Sequence, residues 1–331
     1  ASTPPAPRPQ PQSTVIPRRR RKIILDVDPG VGDALAVCLA LHSPELEVVA
    51  ITATGGNVSP AQATRNVESI VAHLDPRRGP RLGAADDDQP LRTDNRLLWG
   101  DDGFCGANLR CAELHNQHAS TKELAEDLRA APGEVTIIAG GPLNNLAAVF
   151  QMEPDLAMQV GHLIIVGGAM EAPGDVTAAA EFNLYCAAEA AQFVFNSPAT
   201  KTLLPLDVTT QASLTFDLLN HLPGEETPLG QLLRAILPGA FQSYRQHLGL
   251  EGIYVPEAIG VAAALHPELL VTEAYHSDVE TQGQLTHGAT VIDRRSHATE
   301  QANMDVAVDL DAAGAVDCIL RGLQVRTEPD S

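Results

Sequence analysis

An α/β fold, with a mostly parallel central sheet covered by helices on both faces, is predicted by three features of this 331-residue chain. Short β-branched runs alternate with longer amphipathic ones, Gly, Pro or Asn punctuates the junctions, and no composition break divides the chain after its first residues. In order, an extended run over 22–28 ends at Pro29-Gly30 and leads into a helical pattern over 33–42. A second run over 48–54 stops at Gly55-Gly56 and precedes a helix over 60–74 that opens with Pro60. Residues 76–132 read as loop-rich. Strand 135–139 then leads through Gly140-Gly141-Pro142 to helix 143–151, strand 163–167 ends in Gly167-Gly168, and helix 187–195 precedes strand 202–206. Helix 231–247, helix 257–265 after Pro256, strand 269–274, a strand near Val306 and helix 312–323 close the chain. No internal repeat is present, and residues 23–331 are expected to form a single domain with insertions.

Charge excludes some partners. The chain carries 22 basic and 42 acidic side chains, a net −20, but residues 1–22 hold six basic groups and no acid, leaving −26 for residues 23–331. Such a body repels phosphate backbones and anionic bilayers, so nucleic acid and membrane are not expected as partners. Residues 1–22, with six prolines and few large apolar side chains, are expected to be a disordered basic tail. The apolar run after the Arg18–Arg21 cluster is cut at Asp26, well short of the roughly 7 to 15 residues a secretory signal needs. The five cysteines, Cys38, Cys105, Cys111, Cys186 and Cys318, include no C-x-x-C pair and point to reduced, buried thiols and a cytoplasmic setting.

The chemistry concentrates at the end of the first strand. With a side-chain period of two, Asp26 and Asp28 leave the strand on one face, and Asp33 opens the next helix. Three carboxylates at the carboxyl edge of a strand repel one another, and a hard divalent cation with oxygen ligands relieves the repulsion, Ca²⁺ or Mg²⁺ rather than Zn²⁺. The bland alternative, that Asp26 and Asp33 cap a turn and a helix, leaves Asp28 without a task.

The run Asp26-Val27-Asp28-Pro29-Gly30-Val31-Gly32-Asp33-Ala34 resembles the opening D-x-D-P-G-x-D-D-A motif of the inosine-uridine-type nucleoside hydrolases. Further segments follow in that family's order. They are Thr54-Gly55-Gly56-Asn57, Trp99-Gly100-Asp101-Asp102-Gly103, Gly141-Pro142-Leu143-Asn144-Asn145-Leu146-Ala147, Gly167-Gly168, Ala180-Glu181-Phe182-Asn183 with Glu189-Ala190-Ala191, and Leu206-Asp207-Val208-Thr209. The resemblance covers about residues 22–310. It implies hydrolysis of the N-glycosidic bond of a ribonucleoside to ribose and free base, with Ca²⁺ holding the ribose 2′- and 3′-hydroxyls and the attacking water. It further implies that Asp28 is both metal ligand and general base, that Asp33, the backbone carbonyl of Asn144 and Glu257 complete the metal site, and that Asn57 lies near the water. Glu181 and Asn183, on one side of an extended segment, would bind ribose hydroxyls, and Trp99 would lie near the base. Relatives form dimers or tetramers, so a homo-oligomer is expected.

Three positions depart from the family pattern: Gly32, Pro256 and Glu257, the last standing where the family carries an aspartate after the histidine, a longer arm that can still ligate Ca²⁺ because its coordination geometry is forgiving. Gly32 stands where a second acid holds a ribose hydroxyl, a loss of about 1.5 to 3 kcal/mol unless another group compensates. Pro256 stands where a histidine protonates the leaving base, so that role would pass to Tyr244, Tyr254 or His247, or to stacking on Trp99. These departures keep open a Ca²⁺-dependent nucleoside or sugar binder without hydrolase activity. A haloacid-dehalogenase-like phosphatase also fits strand-D-x-D, but needs a lysine to balance the phosphoryl charge, and only Lys22, Lys122 and Lys201 exist.

Overall fold

A computed structural model describes residues 19–110 and 118–324. Cys111 and most of the expected tail lie outside the described residues. Twelve strands are present: β1 (Arg21–Val27), β2 (Leu46–Ala53), β3 (Arg81–Ala84), β4 (His118–Ala119), β5 (Val135–Ala139), β6 (His162–Val166), β7 (Lys201–Leu204), β8 (Ser213–Thr215), β9 (Gly252–Tyr254), β10 (Leu270–Val279), β11 (Thr290–Asp293) and β12 (Met304–Leu310). Ten of them build one sheet in the order β11-β10-β12-β7-β6-β5-β1-β2-β3-β4, and β8 pairs with β9 apart from it. All pairings from β12 to β4 are parallel; only β10 runs antiparallel to its neighbours β11 and β12. The α/β class read from the alternation is thus the observed one.

β1 sits where the chain reverses its winding: β2 and β3 extend the sheet on one side, β5, β6 and β7 on the other. That switch point opens a crevice at the carboxyl ends of β1 and β5, where ligands of open α/β sheets bind. Alternate β1 residues feed the two faces. Ile23, Leu25 and Val27 pack with helices Val31–His42, Pro60–Leu74, Pro228–Ser243, Pro256–Leu265 and Ala312–Gly322. Ile24 packs on the other side with helices Ser120–Ala130, Asn144–Met152 and Ala188–Phe195.

Three expectations need correction. The 76–132 region holds β3, β4 and the eleven-residue helix Ser120–Ala130. The helix is inconspicuous in sequence because seven of its eleven residues are polar or charged, leaving an apolar stripe of Leu124, Ala125 and Leu128; Glu123 and Asp127 are buried as well, and Arg81 of β3 pairs with both, and with Glu126. Second, the last residues of the basic tail are engaged. Arg21 begins β1 and donates to the carbonyls of Ala264 and Leu265, while Arg19 and Lys22 pair with Glu134. Third, β10 runs on to Val279 and pairs with β11, an edge strand that went unread. Helix 231–247 begins at Pro228, capped by Thr227, and after Ser243 passes into a π-helical turn over Tyr244–Leu248.

Asp26 cross-ties the centre of the sheet. It is fully buried, and its Oδ1 accepts from the Thr52 hydroxyl of β2 at 2.7 Å and from Asn145 Nδ2 at 2.8 Å. Asn145 also donates to the Ala53 carbonyl at 2.9 Å and accepts from Gln89 at 2.9 Å. Removing that amide strands several buried groups at once, so Asn145→Ala is expected to cost about 1 to 3 kcal/mol of unfolding free energy in urea titration; an unchanged midpoint would contradict this tie.

Candidate active site

Beyond Val27 the chain turns at Pro29-Gly30 into helix Val31–His42, and both later acids of the motif are fixed by backbone N–H groups. Asp33, at the third helical position, reaches back so that its Oδ2 accepts from the Gly30 N–H at 3.1 Å. Asp28 Oδ2 accepts from the Asn57 N–H at 2.6 Å, and Asn57 Nδ2 returns a bond to the Asp28 carbonyl at 3.2 Å. Asn57 Oδ1 accepts from Asn95, a partner without a sequence signal. Asp28 and Asp33 are buried, and each keeps one carboxylate oxygen, Oδ1, without a hydrogen-bond partner.

Glycines let the backbone close on these carboxylates. A Cβ on Gly56 would lie 2.1 Å from Asp28 Oδ2, and one on Gly140 would lie 3.0 Å from both Asp33 Oδ1 and Glu257 Cγ. Gly140 therefore marks the place where the end of β5, helix Val31–His42 and helix Pro256–Leu265 converge. Both helices start here, so their positive ends face the acids. Glu257, half-buried in the first turn of its helix, is brought to the cluster as the motif order implied.

The cluster's electrostatics follow from burial and mutual repulsion. Burial and the neighbouring charges of Asp33 and Glu257 hold the Asp28 carboxyl well above the usual range, against the pull of the Asn57 N–H. Burial pushes Asp33 up to about 7, and burial with the Asp33 charge raises Glu257 strongly. Asp26 is pushed up to about 6 by burial, moderated by Asn145 and Thr52.

On the sugar side the expected extended segment is a helix start. Glu181 caps helix Phe182–Cys186: Oε1 accepts from the Asn183 N–H, and Oε2 from those of Leu184 and Gly168, at 3.0 to 3.1 Å. A carboxylate followed by free N–H groups nucleates the helical turn, which overrides the two-residue spacing. Burial, and then the charge of Asp175, push Glu181 up to about 8; Asp175 is a neighbour that the sequence reading missed. Asn183 donates to the carbonyls of Gly140 and Val166, tying β5 to β6, and its buried Oδ1 is unpartnered. Asn144 opens helix Asn144–Met152, buried, with its Nδ2 unpartnered. Asp207 serves structure: it accepts from the N–H groups of Met170, Glu171 and Ala172.

Trp99 ends the short helix Arg96–Trp99 and is only 6% exposed, with Nε1 beside Gly30 and its ring centroid 5.6 Å from that of Tyr244. It is mainly an anchor for the wall of the crevice. Tyr244 is buried next to Glu257 and stacks edge-on with Tyr254, whereas His247 is exposed on the π-helical turn. The lysines do not reach the site. Lys201 is buried at the opposite end of β7, bound to the carbonyls of Ser197 and Ala199, Lys22 lies near the start of β1, far from its carboxyl end, and Lys122 is exposed. A phosphoryl-balancing lysine is therefore missing among the described residues.

Among the described residues no three His, Cys, Asp or Glu side chains enclose a point tightly enough to hold an ion by themselves. The fit to a cation rests on donor chemistry: unpartnered buried oxygens on Asp28 and Asp33, Glu257 beside them, and no nitrogen or sulfur donor in the set.

Comparison with known proteins agrees with the motif order. The family model described as inosine-uridine preferring nucleoside hydrolase matches residues 23–317. The pyrimidine-specific ribonucleoside hydrolase RihA of Citrobacter koseri is 34% identical over 306 residues, covering 91% of this chain and 97% of the relative. Its Salmonella paratyphi B counterpart is 35% identical over 307 residues, covering 91% and 98%. Among solved structures, a plant nucleoside hydrolase superposes with a TM-score of 0.84 at 28% identity, covering 92% of this chain and 99% of that one. A purine-preferring ribonucleoside hydrolase from Gardnerella vaginalis superposes at 0.82 with 26% identity, covering 92% and 98%.

The raised carboxyl groups set a sign for stability. Because the folded state holds these protons more tightly than the unfolded chain, their contribution is fully present below about pH 4 and declines up to the folded value of about 7 for Asp33. Chelator-treated protein is expected to melt at lower temperature at pH 7 than at pH 5, and Ca²⁺ should raise the melting temperature more at pH 7. A calcium effect larger at pH 5 would contradict the assignment.

Proposed function

This chain belongs to the inosine-uridine preferring nucleoside hydrolase family, and from that premise we propose that it cleaves the N-glycosidic bond of a ribonucleoside to ribose and free base with Asp28 as the general base. The observation that carries the role of Asp28 is its unpartnered Oδ1, buried at the carboxyl end of the central strand while Asn57 holds Oδ2. Such a carboxylate is oriented by its backbone partner and keeps one oxygen open, which is what a base within hydrogen-bond reach of a water needs once it is ionised.

Asp28, Asp33, the carbonyl of Asn144 and Glu257 are the residues we assign to a divalent cation, and the all-oxygen set favours Ca²⁺. When bound, the ion would supply the positive charge that keeps these carboxylates ionised and acidifies a water. Asn57 holds Asp28 twice, its N–H donating to the carboxylate Oδ2 and its side-chain amide to the Asp28 backbone carbonyl, and so leaves Oδ1 as the oxygen for proton uptake. Asn183 presents Oδ1 to a sugar hydroxyl while its amide is held by two strand-end carbonyls. Glu181 keeps acceptor capacity beyond its three backbone bonds, since each carboxylate oxygen has two lone pairs. Carboxylates on several sides suit the positive charge that develops on the sugar ring in an oxocarbenium-like transition state.

For the leaving base, Pro256 offers no proton and His247 is exposed, which favours Tyr244 beside the Trp99 wall; its O–H rests on the Tyr254 carbonyl at a long 3.4 Å and would turn from it to the base. Burial raises its phenol, so it donates a hydrogen bond more readily than it gives up its proton. The substrate class is a neutral nucleoside, which a chain of net charge −20 has no reason to repel. The named relatives include pyrimidine-specific and purine-preferring enzymes, so the base is left to the assay.

The test is release of reducing sugar from inosine, adenosine, guanosine, uridine and cytidine with and without chelator. Metal-loaded protein is expected to turn over at least one of them, and Asp28→Ala to lose about 10²- to 10⁴-fold in kcat. Tyr244→Phe should lose about tenfold in kcat with little change in KM. Binding of nucleosides without any sugar release would leave the binder reading in place of the hydrolase.

A further inference from the structure

The first turns of helices Val31–His42 and Pro256–Leu265 meet at the site, and the arm of Glu257 lies between them. A Cβ placed on Gly32 would sit 2.1 Å from Glu257 Oε2 and 3.2 Å from Glu257 Cδ, while Oε1 stands 3.8 Å from the same point. On the other side, a Cβ on Gly140 would sit 3.0 Å from Glu257 Cγ. Non-bonded carbon and oxygen atoms do not approach to 2.1 Å, so a side chain at residue 32 and this placement of Glu257 exclude each other. The glutamate is therefore threaded between two glycines from different elements, and its Oε2 comes to lie where a side chain of residue 32 would begin. An aspartate at 257 would be shorter by one carbon–carbon bond, about 1.5 Å, and would leave that point empty.

We infer that Gly32 and Glu257 form one reciprocal unit, in which the carboxylate missing from residue 32 is delivered from the opposite helix by Glu257. Its two oxygens then have separate duties. Oε2 would take the acceptor position over Gly32 for a sugar hydroxyl, which leaves Oε1, the oxygen farther from Gly32, as the one that would ligate a cation. The sugar contact rests on the nucleoside hydrolase reading; the mutual exclusion of the two side chains does not. The loss of an acid at residue 32 is then an exchange of the element that carries it rather than a deletion, and the longer side chain at 257 is its other half.

The test is a double-mutant cycle on the full chain with Gly32→Asp, Glu257→Asp and the pair together. Three quantities are read: melting temperature in chelator, calcium affinity by isothermal titration, and KM for the best nucleoside. Gly32→Asp alone should lower the melting temperature by about 2 to 4 °C, because its side chain displaces the end of the Glu257 arm and sets a second carboxylate beside it. Glu257→Asp alone should weaken calcium binding and raise KM about tenfold each. The pair should recover most of the loss in all three, a coupling that independent sites would not show. Losses that simply add in the pair would overturn the inference. If Gly32→Asp does not fold, Gly32→Ala with and without Glu257→Asp carries the melting part of the cycle, where the added methyl group should destabilise less with Asp at 257 than with Glu, and additive melting losses would overturn the mutual exclusion. Should the wild type hydrolyse no nucleoside, the functional reading falls, while the melting and calcium cycles still decide whether residues 32 and 257 are reciprocal.

Discussion

The constraint on which the site depends is the enclosure of carboxylates at the end of the central strand, to which repulsion between neighbours adds. Asp28, Asp33 and Glu257 come from three places in the chain, and each is raised first by burial and then by a carboxylate neighbour. No described lysine stands by to offset them. A fold gives up stability to hold such an arrangement, and the arrangement persists because the sheet, two helix starts and several close-packed glycines determine it from outside. The crevice is a preformed electrostatic demand for positive charge, which the proposed cation and a sugar ring developing positive charge would meet in turn.

The surrounding hydrogen bonds divide structural acids from reactive ones. Asp26 shares the motif and the burial of Asp28, but its Oδ1 is occupied by Thr52 and Asn145, and its task is to bind β1, β2 and the loop after β5. Asp207 is spent on three backbone N–H groups of the loop after β6. Glu181 stands between these cases, a helix cap whose burial beside Asp175 keeps it close to neutrality at physiological pH. Motif membership does not assign the roles; the partner of each oxygen does.

Much of this was legible in the sequence. The parallel core strands, the helices on both faces and the convergence at the end of β1 follow from hydrophobic periodicity and from Pro and Gly punctuation, which are local signals. The helix Ser120–Ala130 was overlooked because most of its residues are polar or charged and its apolar stripe is short, Leu124, Ala125 and Leu128, while the burial of Glu123 and Asp127 against Arg81 needs coordinates to be seen. The helix at Phe182 was misread for a related reason: two-residue spacing of Glu181 and Asn183 is compatible with a strand, and the capping geometry that decides it needs coordinates. Gly32 and Glu257 could be seen as departures from the family pattern, but 225 positions apart their meeting was invisible, and only the 2.1 Å approach joins them.

The central claim is that raised carboxyl groups here are held for a cation that displaces their protons. Calorimetric titration of the chelator-treated protein with Ca²⁺ at pH 7, repeated in buffers of different ionisation enthalpy, counts the protons released per ion bound. The account predicts one calcium per chain, with measurable proton release that diminishes as the titration is moved to higher pH. Binding without proton release, or no binding at all, would contradict it.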